Sequence, residues 1–147
     1  MDTTTKKIKI LLIDSDEMMC IYFRDIFWIH GRSDTYEIAM ASSLEEAEKK
    51  ILDKETKPDT IFLDVMMAPP GGHGSGDEQI KKNLSFIERI KKDKDMSSIK
   101  IIIFSNKKEE IIKEEASKLG VDGFLTKGEL MPKEIIDFTD KLYEHNN

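Results

Sequence analysis

Four polar side chains stand where apolar runs end. Asp14 follows Ile10-Leu11-Leu12-Ile13, and Asp64 follows Ile61-Phe62-Leu63. Ser105 follows Ile101-Ile102-Ile103-Phe104, and Lys127 follows Gly123-Phe124-Leu125-Thr126. Apolar runs of this length read as strands covered on both faces. Open α/β sheets place their chemistry outside the carboxyl ends of such strands. If the four strands are parallel neighbours, two carboxylates, a hydroxyl and an ammonium meet at one edge. Carboxylate oxygens suit a hard cation, and an ionised carboxylate backed by positive charge can serve as a nucleophile.

The elements that must position these groups follow from the pattern around them. A strand over Ile8–Ile13 closes at Asp14-Ser15-Asp16-Glu17, which opens a helix carrying Met19, Phe23, Ile26, Phe27 and His30 and stopped by Gly31. Tyr36–Met40 reads as a second strand. Ser43 and Glu46 form a capping-box pattern ahead of Leu44, Ala47 and Ile51. Thr60–Leu63 is the third strand. The stretch 68–77, rich in Pro and Gly, reads as a long loop, and loops of that length are usually functional or disordered. A helix resumes by Ile80 with Leu84, Ile87 and Ile90 on one face. Lys100–Phe104 is the fourth strand. Asn106 can cap a helix carrying Ile112, Ala116 and Leu119. Val121–Thr126 is the fifth strand, and Pro132 opens a last helix with Ile135, Phe138 and Leu142. Five strands alternate with five helices, which predicts an α/β domain with a parallel sheet and helices on both faces.

Composition narrows the function. The 147 residues suit a single domain over 1–147 with its core at about 8–143, and no output domain is expected. Net charge is −6 and the pI is near 5.2, which argues against direct nucleic-acid binding. No apolar run approaches the roughly 18 residues of a membrane span. The amino terminus has no apolar signal region, and the single Cys20 excludes an internal disulfide, so a cytoplasmic location is expected. Cys20 reads as a helix residue without redox work, Trp28 and the methionines as packing residues with some methionines exposed at a binding surface as the alternative, and His73 as a solvated loop residue.

The strand-end residues, taken in order on this alternation, resemble the receiver domain of two-component response regulators (CheY-like). Gly120-Val121-Asp122-Gly123-Phe124-Leu125-Thr126-Lys127 is similar to that family's G-A-x-G-aromatic-x-x-K segment. The resemblance spans residues 8–143. It implies a flavodoxin-like (βα)5 sheet in strand order 2-1-3-4-5. It also implies a signalling domain, not an enzyme: Asp64 would accept a phosphoryl group from a histidine kinase or histidine phosphotransfer protein. Mg2+ would be held by Asp14, Asp64 and the backbone carbonyl of Met66. Ser105 and Lys127 would meet phosphoryl oxygens, and Phe124 would change its exposure. The face of the fourth helix, fifth strand and fifth helix would then meet a downstream protein or a second copy of the chain.

Three departures from the family pattern qualify this. Ser15 stands where the family has a second acid, which leaves Asp16 to compensate or Mg2+ binding weak. Gly128 replaces the proline that usually follows the lysine. The loop after Asp64 is longer than the family's. Two other functions fit parts of the sequence. A degenerate receiver would bind a partner without phosphorylation. A haloacid-dehalogenase-like phosphatase is suggested by Asp14-Ser15-Asp16, which resembles that family's D-x-D motif, but it leaves Asp64 unused. Locally, Asp14 and Asp16 could also be simple helix N-terminal acids, Ser105 a helix cap and Lys127 a surface lysine.

Overall fold

The computed structural model describes residues 6–67, 76–106 and 110–144. In chain order the elements are β1 (Ile8–Ile13), α1 (Glu17–Ile29), β2 (Tyr36–Ala41), α2 (Leu44–Leu52) and β3 (Thr60–Leu63). Then come α3 (Gly76–Lys92), β4 (Lys100–Ser105), α4 (Glu110–Lys118), β5 (Gly123–Thr126) and α5 (Pro132–Leu142). The strands form one sheet in the order β2-β1-β3-β4-β5, and every neighbouring pair is parallel. This is the flavodoxin-like arrangement expected.

Side chains on a strand alternate between faces. Leu11 and Ile13 therefore join one core with Ile61, Leu63 and Ile101, covered by α2, α3 and α4. Ile10 and Leu12 join the other with Phe62, Ile102 and Phe104, covered by α1 and α5. Two covered faces explain the apolar runs of β1, β3 and β4. No helix among the described residues is long and apolar enough to cross a membrane.

The helix starts follow local chemistry. Asp16 caps α1, its carboxylate accepting from the N–H groups of Met18 and Met19 at 3.0 and 3.3 Å. Ser43 Oγ accepts from Glu46 N–H at 3.1 Å to cap α2. The Glu46 carboxylate accepts from Ser42 Oγ at 3.2 Å. Pro132 opens α5, and the N–H of Met131 donates to Glu134 Oε1 at 2.8 Å.

Several boundaries differ from expectation. α3 begins at Gly76, so the last two residues expected in the loop are helical; residues 68–75, with His73, lie outside the described residues. Residues 107–109, between the expected cap Asn106 and α4, also lie outside them. β5 begins at Gly123, not Val121. The reason is Asp122, whose carboxylate takes the N–H of Ile101 at 2.8 Å and the ammonium of Lys91 at 3.0 Å. Trp28 is not a packing residue: it is 71% exposed. α1 buries Cys20, Phe23, Ile26 and Phe27, and Trp28 sits about 100° further round the helix, on the solvent side.

Candidate functional site

Register brings the strand-end residues together. Ile13 pairs with Leu63, and Ser105 pairs with Thr126, so Asp14, Asp64, Ser105 and Lys127 share the carboxyl edge. Backbone bonds continue the ladder past the strands: Asp14 N–H donates to Ala41 O at 3.0 Å, Asp64 N–H to Ile13 O at 3.1 Å, and Lys127 N–H to Ser105 O at 2.8 Å.

The side chains then converge. The Lys127 ammonium donates to Asp14 Oδ2 and, at 3.0 Å, to Asp64 Oδ2. Ser105 Oγ donates to Asp64 Oδ1 at 3.0 Å, and the N–H of Met66 donates to the same oxygen at 2.9 Å. Ser105 Oγ in turn accepts from Val65 N–H at 3.2 Å. Asp14 Oδ1 accepts from Asp16 N–H at 2.9 Å. Asp64 is 8% exposed and Asp14 only 1%, so Asp64 is the more open carboxylate.

Two buried carboxylates here share one ammonium. Burial pushes the Asp14 carboxyl above its usual range, and the Asp64 charge adds to this against the hydrogen bonds from Lys127 and Asp16. Burial alone would lower Lys127, but its bonds and charges with Asp14 and Asp64 outweigh that and hold the ammonium charged. With both carboxylates ionised, two negative charges face the one Lys127 ammonium among the described residues of the cluster. Each of its carboxylate oxygens also retains acceptor capacity beyond the donors named above. These hard oxygens fit a Mg2+ ion, which needs only one or two carboxylates and keeps several waters. Asp14 and Asp64 would hold it, with the Met66 carbonyl beside them. Asp16 is committed through Oδ1 to capping α1, and no group of three ligating side chains stands ready among the described residues. Ser15 is exposed at the rim.

Phe124 is partly buried against the core under α2, α3 and α4. Gly128 has φ +79°, a left-handed conformation closed to proline, so the turn after Lys127 is built differently from a proline kink. Cys20 is buried; burial first and the nearby Asp14 charge second push its thiol up to about 11. Asn83 was not singled out from sequence, because one amide in an amphipathic helix carries no signal. It is buried and donates to the carbonyl of Val65 at 2.6 Å, which fixes the backbone leaving Asp64.

With this geometry in hand, the chain can be set beside known proteins. The family model for the response regulator receiver domain matches residues 10–138. A putative response regulator from Chloroflexus aurantiacus J-10-fl superposes with a TM-score of 0.71 at 20% identity, over 93% of this chain and 98% of that one. The phosphorylated cyanobacterial phytochrome response regulator RcpA gives 0.70 at 16% identity, over 93% and 91%. The Mn2+-bound form of response regulator Rcp1 gives 0.72 at 16%, over 95% and 97%. At these identities the structures share the fold. A comparison with curated proteins finds no match.

Proposed function

The chain belongs to the response regulator receiver domain family, and from that premise we propose that Asp64 accepts a phosphoryl group, with Mg2+, from a histidine kinase or histidine phosphotransfer protein. Receiver domains are modules of two-component signalling and not classical enzymes. The observation that carries the finer reading is the cage around Asp64: one oxygen fixed by Ser105 and Met66, the other facing Lys127.

Asp64 Oδ1 is held by two donors, which orients the carboxylate. Among the described residues Oδ2 has only the Lys127 ammonium as partner, and it is the atom suited to attack phosphorus. The new O–P bond replaces the P–N bond of the donor imidazole, which leaves with its electron pair. Mg2+, when bound, supplies charge neutralisation for the transferring oxygens. Lys127 then pairs with a phosphoryl oxygen, and the Ser105 hydroxyl can turn from Asp64 Oδ1 to another. Phe124 lies on the strand ending beside Lys127, so its burial responds to that movement. The α4–β5–α5 face is the surface for a downstream partner or a second copy, and the expected location is cytoplasmic.

The competing readings separate in one experiment. Intact mass is measured after acetyl phosphate treatment, with and without Mg2+. One phosphoryl group is gained in Mg2+, and Asp64→Asn abolishes it. Labelling that persists in Asp64→Asn but is lost in Asp14→Asn would instead support the D-x-D phosphatase. No labelling at any Mg2+ concentration would support a receiver that binds its partner constitutively, as the helix-capping role of Asp16 and the absent acid at Ser15 would allow.

A further inference from the structure

The edge of the sheet opposite Asp64 carries a feature that phosphoryl acceptance does not use. A cleft of about 450 Å3 opens at the amino ends of β1, β3 and β4. Six lysines line it (Lys6, Lys7, Lys9, Lys54, Lys57 and Lys100) with a single acid, Asp59. On a chain of net charge −6, such a concentration of one sign needs a cause.

Part of the cause is structural. In a parallel α/β sheet the helices end at this edge, so the negative ends of the α2, α3 and α5 dipoles face it. The Lys9 ammonium donates to the carbonyl of Glu55, and the Lys57 ammonium to that of Asp95. These carbonyls lie in the turns after α2 and α3, and the two lysines satisfy them. The other four do no such work. Among the described residues, no ion pair or hydrogen bond holds the ammonium of Lys6, Lys7, Lys54 or Lys100. Lys100 only overlies the Tyr143 ring, 5.9 Å from its centroid. Three of the nearby acids are engaged with backbone: Asp59 with Lys9 N–H at 2.8 Å, Asp53 with Glu55 N–H at 2.9 Å, and Asp93 with Asp95 N–H at 2.8 Å.

Like charges gathered without partners repel one another, and a ligand with closely spaced negative charges relieves that repulsion. The cleft is concave and short. A membrane surface or a nucleic-acid strand would extend beyond it, over a surface whose net charge repels both. We propose that this cleft binds a compact polyphosphate chain, a di- or triphosphate, either free or carried on a nucleoside. Lys54 and Lys100 hold its oxygens from the two walls, and Lys6 and Lys7 close over it from the amino-terminal side. Ammonium groups suit this task as mobile point-charge donors. Because the cleft lies at the far edge of the sheet, the interaction requires neither Mg2+ nor phosphorylation of Asp64.

Calorimetric titration of the full chain with inorganic triphosphate, in chelator and at physiological salt, tests this. Saturable binding is expected, weakened about tenfold or more in the Lys54→Gln/Lys100→Gln double variant. The melting temperature of the unliganded double variant should stay close to the parent's, since among the described residues neither ammonium has a hydrogen bond or ion pair and Lys100 only overlies the Tyr143 ring. Asp64→Asn should bind as the parent does, which separates this cleft from the acceptor site. Adenosine triphosphate binding more tightly than triphosphate would assign a nucleoside carrier; equal affinity would assign the phosphate chain alone. Either result supports the proposal. It is overturned if neither compound binds, or if the double variant binds as well as the parent. It is also overturned if an oligoglutamate peptide binds where triphosphate does not, which would mark a protein partner with an acidic segment.

Discussion

Lys127 sets its ammonium against Asp14 Oδ2 and Asp64 Oδ2 at once, so the acidic pocket is short of positive charge before any metal arrives. Affinity for a hard cation follows the number of charged ligands, and the residue best placed to change that number is Ser15, exposed next to Asp14. Ser15→Asp should tighten Mg2+ binding about tenfold, read by calorimetry. Unchanged affinity would mean that the side chain at 15 faces away from the pocket. Asp14, Asp64, Ser105 and Lys127 were legible in the sequence because each closes an apolar run, and a parallel sheet sends all such ends to one edge. Asp16 was not: an acid three residues past a strand can ligate or cap, and only the N–H groups of Met18 and Met19 decide the matter. Asn83 was invisible because its partner, the Val65 carbonyl, is eighteen residues away.

At the scale of elements, the interiors of strands and helices were legible from periodicity, while their ends depended on contacts distant in sequence. Asp122 delays β5 by binding Ile101 N–H. A second tie joins α5 to the start of β2. Asp140 accepts from Arg32 Nη2 at 2.8 Å and from the Tyr36 hydroxyl at 2.6 Å, across more than a hundred residues. Burial works to raise the Asp140 carboxyl, but these hydrogen bonds and the guanidinium charge outweigh it and hold it below its ordinary value. A depressed carboxyl contributes stability above its unfolded-state value, near pH 4, and loses it as the pH falls through the folded value. Urea denaturation should therefore show Asp140→Asn costing about 1 kcal/mol at pH 7, discounted for partial exposure. The gap to the parent should close as the pH falls below 4. A pH-independent gap would assign the loss to packing. The turn between β5 and α5 gives a second expectation. Gly128 holds φ +79° with open space where a Cβ would stand. Gly128→Ala should thus cost about 1–2 kcal/mol through backbone strain alone, with m-value unchanged. A neutral result would show that the turn relaxes.

Across the whole molecule, charge is segregated in a way the sequence hides. Lysines drawn from positions 6 to 100 meet at one edge of the sheet, and the two buried carboxylates meet at the other. In the chain these charges are interspersed and read as solvated helix faces; the fold sorts them. The acidic pole has a direct consequence for stability. Asp14 is fully enclosed, and among the described residues the one ammonium paired with it is shared with Asp64. Without metal, folding buries two like charges against one cation, and this is unfavourable because an unpaired buried charge is costly. On the proposed function, bound Mg2+ would remove the imbalance, and as a ligand of the folded state it would add RT ln(1 + [Mg2+]/Kd), about 1.4 kcal/mol at ten times Kd, or roughly 3–6 °C in melting temperature. Asp14→Asn keeps an acceptor for the Asp16 N–H while removing one of the two charges. In chelator the variant should therefore melt above the parent. In excess Mg2+ the order should reverse, because the parent gains stability from the metal and the variant, lacking a ligand, does not. That crossing, followed by thermal melts over a Mg2+ series, is the signature of a pocket whose charge is arranged for a cation. A variant less stable in chelator as well would show that the Lys127–Asp14 pair is worth more than the burial it requires.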